Sequence, residues 1–77
     1  MDIQTTELIA IGASVTANCV PCLRFHLTKA REGGVTENEI REAVRVGRMV
    51  RRGAASQWDK EATALLGQED ADEAAGR

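Results

Sequence analysis

Aromatic side chains are almost missing from this chain. Phe25 and Trp58 are the only two in 77 residues, and tyrosine is absent. A core must therefore be assembled from leucine, isoleucine, valine and alanine, which suits closely packed helices. No run of alternating β-branched residues occurs, so the usual sequence sign of a half-buried strand is lacking. No internal repeat is present either. No apolar stretch approaches the roughly 20 residues that a membrane-spanning helix needs. The first residues, Met1-Asp2-Ile3-Gln4-Thr5-Thr6-Glu7, have neither the basic start nor the apolar run of a secretory signal. These absences predict a cytoplasmic protein with no membrane partner. Positive charge is not in excess: 10 Lys and Arg against 12 Asp and Glu leave a net charge of −2. Phosphate binding draws on a clustered positive field, so nucleic acid is not expected as a partner.

Cysteine is scarce too, with two in the whole chain, and their spacing excludes a stapling role. Cys19 and Cys22 close too short a loop to restrict the unfolded chain much. Structural disulfides are also rare in a reducing compartment. Reactivity or metal binding explains the pair better than stability does. On the first turn of a helix, such a pair can close into a disulfide between near neighbours. His26, the only histidine, stands four residues past Cys22, and helical spacing puts its imidazole over the second sulfur. Sulfur attacks as thiolate, and an ordinary cysteine, with a pKa of about 8.5, is mostly protonated near neutrality. A helix N-terminus favours the anion at Cys19 and Cys22, and His26 can accept the proton or stabilise the charge.

Other chemistries compete for the same residues. Cys19, Cys22 and His26 supply three zinc ligands, with Glu7 the one evident fourth. No second Cys-x-x-Cys accompanies them. A c-type haem site needs histidine at position 23, where Leu23 stands. A thioredoxin-like arrangement has Pro21 in its favour but fails for lack of strands. A scaffold whose cysteines are idle is a further alternative.

The pattern predicts a small antiparallel helical domain of three to four helices over residues 1–66. The first spans Thr5 to Ala17, with Leu8, Ile11, Gly12 and Val15 at helical steps and Glu7 favouring its first turn. Asn18 is then expected as N-cap of a second helix starting at Cys19, with Pro21 tolerated in the first turn and Gly33-Gly34 ending it. Its inward stripe is Cys19, Cys22 or Leu23, His26 or Leu27, and Ala30. Thr36 and Glu39 form a capping box for the third helix, and Val35 with Ile40 has the spacing of a hydrophobic staple. Ile40, Ala43, Val44, Gly47 and Val50 give that helix its apolar face. The helical pattern continues to Leu66, with a break expected near Gly53. Residues 67–77 are acidic, carry no large apolar residue and are expected to be disordered.

Folding the first two helices back as an antiparallel hairpin brings Glu7 within bridging reach of His26, directly or through water. Taken alone, Glu7 reads as a helix-start residue. Arg41, Arg45, Arg48 and Arg52 line one face of the third helix, where Glu37, Glu39 and Glu42 can pair with them. That face is expected to be solvated or to lie between protomers. Trp58 is expected to anchor packing.

With Glu7, Cys19, Cys22 and His26 in place, and Val35-Thr36-Glu37 following, the sequence resembles the alkylhydroperoxidase D group of the carboxymuconolactone decarboxylase-like superfamily over roughly residues 5 to 55. The resemblance implies an all-helical, single-core subunit that assembles as a homotrimer or homohexamer. It implies cysteines that cycle between dithiol and disulfide while reducing peroxides. By that resemblance Cys22 attacks, Cys19 resolves, and His26 and Glu7 relay protons. Peroxide is then the substrate and a protein or small thiol the electron donor, with neither a cofactor nor a metal required. Decarboxylase members generally lack this cysteine pair. Longer members place further helices before the core, so pocket walls are expected to be missing here or donated by a neighbour.

Overall fold

The computed structural model describes residues 1–67 and arranges them as three helices: α1 (Ile3–Thr16), α2 (Val20–Glu32) and α3 (Glu37–Leu66). No strand occurs among the described residues, and the fold is all-α as expected. Of the disordered acidic tail expected over 67–77, residues 68–77 lie outside the described residues, and Gly67 is the C-cap of α3.

Helix α1 starts two residues before the expected Thr5 because Asp2 caps it. The Thr5 backbone N–H donates to the Asp2 carboxylate at 2.7 Å, which satisfies one of the orphan donors of a helix start. That bond also holds the Asp2 carboxyl below its ordinary range. With the start at Ile3, Glu7 lies beyond the first turn, and a helix-start role does not account for it.

The expected N-cap role of Asn18 is corrected. Asn18 takes a left-handed conformation, φ 56°, and closes α1 instead of opening α2. The Cys19 N–H donates to Ser14 C=O at 2.9 Å and the Asn18 N–H to Val15 C=O at 3.1 Å, the paired bonds of a Schellman cap. Asparagine is among the few residues that tolerate this conformation. The N-cap of α2 is Cys19 itself. The same device ends α2. Gly34, at φ 85°, donates to Arg31 C=O at 3.2 Å, and the next N–H, of Val35, reaches Ala30 C=O at 3.0 Å. The capping box of α3 forms reciprocally, with Glu39 N–H to Thr36 Oγ1 at 3.1 Å and Thr36 N–H to Glu39 Oε1 at 2.9 Å. Val35 and Ile40 are both buried in the core beside it.

Ile11 and Ala30 are fully enclosed at the centre, joined by Val35 and Ile40 and surrounded by Leu8, Leu23, Leu27, Ala43 and Val44. Leu23 and Leu27 are thus the inward members of the α2 stripe, while Cys22 is exposed and His26 half-buried. Helix α1 packs against both α2 and α3, which scarcely meet each other. It presses tightly on α3 at Gly47. A β-carbon there would lie 2.5 Å from the Gly12 carbonyl oxygen and 2.8 Å from Val15 Cβ. Thr16 Oγ1 donates to Gly47 C=O at 3.0 Å across the same contact.

The break expected near Gly53 does not occur, and α3 runs unbroken for 30 residues. A single interior glycine costs a helix only about 1 kcal/mol, and the arginines and alanines around it are good helix formers. At 1.5 Å per residue the helix spans about 45 Å, close to the 50 Å long axis of the molecule. Its second half therefore extends past α1 and α2. Trp58 is 71% exposed as a result, so its expected packing role is not met within one subunit.

Of the charge pairs expected along α3, only Glu42–Arg45 forms. Glu37 turns to α2 and pairs with Arg31 at 2.7 Å, while Glu39 is taken up by the cap. Among the described residues no carboxylate pairs with Arg48 or Arg52.

Candidate active site

The antiparallel run of α1 and α2 fixes the first contact of the site. Gln4 Nε2 donates to Gly33 C=O at 2.9 Å, tying the start of α1 to the end of α2. Inward from that tie, Glu7 Oε2 meets His26 Nδ1 at 2.7 Å, so the bridge expected from hairpin geometry is direct. Glu7 is buried, and the His26 side chain keeps 29% of its surface exposed. A carboxylate accepting from Nδ1–H selects the tautomer in which Nε2 carries the free lone pair. The Phe25 ring stands edge-on to the imidazole at 5.1 Å between centroids, and the Lys29 ammonium lies 5.7 Å above Phe25.

Cys19 and Cys22 are joined by a disulfide, with their Cα atoms 5.3 Å apart. As N-cap, Cys19 Sγ accepts the Cys22 backbone N–H at 3.3 Å. Pro21 fits the first turn because the N–H it lacks would have had no intrahelical partner. Cys22 is exposed and Cys19 partly so. One turn on, the His26 and Cys22 β-carbons are neighbours at about 5–6 Å. Opening the bond would place two sulfurs at a helix N-terminus, where thiolate is favoured. The cysteine pair can store two electrons, and His26 stands one helical turn along α2 from Cys22. Among the described residues no group of three or more His, Cys, Asp and Glu side chains is arranged to hold a metal ion in this disulfide form.

Arg51, absent from the basic residues singled out in the sequence, helps place the site. Its Nη1 donates to Val15 C=O at 3.1 Å and to Asn18 Oδ1 at 2.9 Å. A cation therefore sits at the C-terminus of α1, where the helix dipole favours it, and ties α3 to the turn that leads into Cys19. Its place one turn after Gly47, a member of the apolar face of α3, was the available signal.

All four residues singled out in the sequence thus lie on α1, on α2 or at the cap between them, as two contacting pairs. The chain belongs to the carboxymuconolactone decarboxylase family, whose family model matches residues 2–66. A Paracoccus denitrificans protein described as uncharacterized protein 4 in cox locus is 34% identical over 70 residues, covering 91% of this chain. The chain spans 63% of the length of that relative. No solved structure matches it.

Proposed function

We propose that the chain is a thiol-dependent peroxidase and disulfide oxidoreductase of the cytoplasm. The 2.7 Å contact of His26 Nδ1 with Glu7 Oε2, one turn from Cys22, carries this reading. In the reduced protein His26 Nε2 takes the Cys22 proton. The Cys22 thiolate attacks the terminal oxygen of a hydroperoxide, the O–O bond breaks, and the alkoxide leaves as alcohol with the proton returned by His26. Cys22 is then a sulfenic acid. The Cys19 sulfur attacks it, the S–O bond breaks, water departs with the Cys19 proton, and the disulfide re-forms. A thiol donor restores the dithiol by two exchange steps. Glu7 orients the imidazole without touching sulfur.

The working unit in this reading is a homotrimer or homohexamer. Ile9, Val46 and Val50 border an apolar groove of about 630 Å³ between α1 and α3, and Met49, Trp58 and Leu65 are exposed on the extended helix. In this reading neighbouring copies of the chain cover these side chains.

The test is stoichiometric. Reduced protein mixed with cumene hydroperoxide should lose two thiols for each peroxide consumed, and a sedimentation run should give a mass of three or six chains. Thiols that persist in excess peroxide would contradict the enzymatic reading, and a compact monomer would contradict the assembly.

A further inference from the structure

Beside the disulfide lies a hollow of about 240 Å³ whose lining includes Cys19 but neither Cys22 nor His26. Besides the neutral polar Ser14 and Asn18, its walls are of two kinds. Val15, Val20, Leu23 and Val44 are aliphatic, and Arg48 and Arg51 are cationic. Arg51 spends its Nη1 on Val15 and Asn18, which holds its guanidinium in place and leaves its other N–H groups unspent on them. Arg48 has no carboxylate partner among the described residues. From Ala43 to Trp58, α3 carries four arginines and no acidic residue. The volume falls below the roughly 300–1,000 Å³ of pockets for drug-sized ligands. It therefore suits a few carbons and one anionic group, whereas a protein loop would overfill it.

We propose that this hollow receives the reductant, and that the reductant is a small aliphatic thiol bearing a carboxylate. The proposal rests on reading Cys19–Cys22 as a bond that opens and closes. The carboxylate pairs with Arg48, and with the unspent N–H groups of Arg51, while the aliphatic stem lies on Val20 and Leu23. Its thiolate attacks Cys19 Sγ. A new S–S bond forms to Cys19, the Cys19–Cys22 bond breaks, and Cys22 leaves as thiolate beside His26, ready for the next peroxide. A second thiol attacks the donor sulfur of the mixed disulfide, releasing the oxidised donor and the Cys19 thiolate. Two donor thiols are oxidised to one disulfide and one protein disulfide is reduced, so electrons balance.

The experiment uses oxidised protein without peroxide, which separates it from the peroxidase step. Mercaptopropionate and mercaptopropanol share a three-carbon skeleton and differ in charge. Their rates of disulfide opening are normalised to their rates with a neutral dialkyl disulfide, which removes differences in thiol reactivity. Electrostatic steering by a small cationic site predicts a preference for mercaptopropionate of roughly tenfold at low salt. The protein as a whole carries −2, which would oppose that preference, so a preference reports the local field. It should fall below twofold in Arg48→Gln, return in Arg48→Lys, and shrink in 0.5 M salt, where the screening length is only about 4 Å. Quenching with iodoacetamide should leave the mercaptopropionate adduct on Cys19 and the alkyl group on Cys22, read by peptide mass spectrometry. Equal normalised rates, a preference that survives Arg48→Gln, or an adduct on Cys22 would each overturn the proposal while leaving the redox cycle intact. A bond that no thiol opens would overturn the redox reading and the proposal together.

Discussion

Gly47 presses so closely on Gly12 that a β-carbon on the former would sit 2.5 Å from the carbonyl oxygen of the latter. The obstructing atom is backbone, which cannot swing aside. Gly47→Ala should therefore destabilise the fold by about 1–3 kcal/mol, the usual cost of overpacking. Gly53 meets nothing within 4 Å of a β-carbon. Gly53→Ala should stabilise by about 0.5–1 kcal/mol through helix propensity. Urea unfolding of the two variants should shift the midpoint in opposite directions, and a shared direction would contradict the packing described.

Arg51→Ala removes the cation that bonds Val15 C=O and Asn18 Oδ1. A charged donor lost from a helix C-terminus should cost about 1–2 kcal/mol. The loosening should reach the start of α2, because Arg51 braces the turn before Cys19. Faster hydrogen exchange at the Cys22 amide, relative to amides late in α3, is the expected sign. Uniform change along the chain would contradict a bracing role.

Acid should loosen the helix starts. The Thr36 backbone N–H holds the Glu39 carboxyl below the ordinary glutamate value of 4.5, and pairing with Arg31 does the same for Glu37. Both carboxyls bind protons less readily folded than unfolded, so the stability they contribute is present above about pH 4.5 and is lost as pH falls through their lowered values. In urea titrations Glu39→Gln should be less stable than the wild type at neutral pH, with the gap narrowing below pH 4.5. A gap independent of pH would contradict this origin.

His26→Ala should slow the first oxidation by peroxide roughly 10²-fold or more, the scale of a positioned acid–base group. Glu7→Gln should do less, since Glu7 reaches His26 and not sulfur. Comparing each rate at several pH values separates relay from fold. A slowing in His26→Ala that higher pH restores marks a lost proton acceptor, and one that pH leaves unchanged would mark a structural defect.

What the sequence disclosed was mostly local. The capping box at Thr36 and Glu39, the staple of Val35 and Ile40 and the glycine stop after Glu32 depend on residues within a few positions of one another, and all are present. The meeting of Glu7 with His26 followed from helix rise and an antiparallel turn. Asn18 misled because its side chain suits both an N-cap and a left-handed C-terminal position, and the contest was settled by the Schellman bonds to Ser14 and Val15. Arg51 was missed because its partners are 36 and 33 residues away, and its place one turn after Gly47 was the only pointer to them. Trp58 was misjudged along with Gly53: one glycine costs a helix too little to break α3, and the unbroken helix carries Trp58 past α1 and α2.

The central claim is that Cys22, beside His26, strikes the peroxide and Cys19 resolves it. Stopped-flow measurement of the first oxidation in Cys19→Ser and Cys22→Ser tests it directly. Cys19→Ser should react with one equivalent of peroxide at close to the wild-type rate and stall with an oxidised Cys22, trapped by dimedone. Cys22→Ser should show no fast phase. If instead Cys22→Ser keeps the fast oxidation and Cys19→Ser loses it, the assigned roles are contradicted, and with them the place of His26 in the reaction.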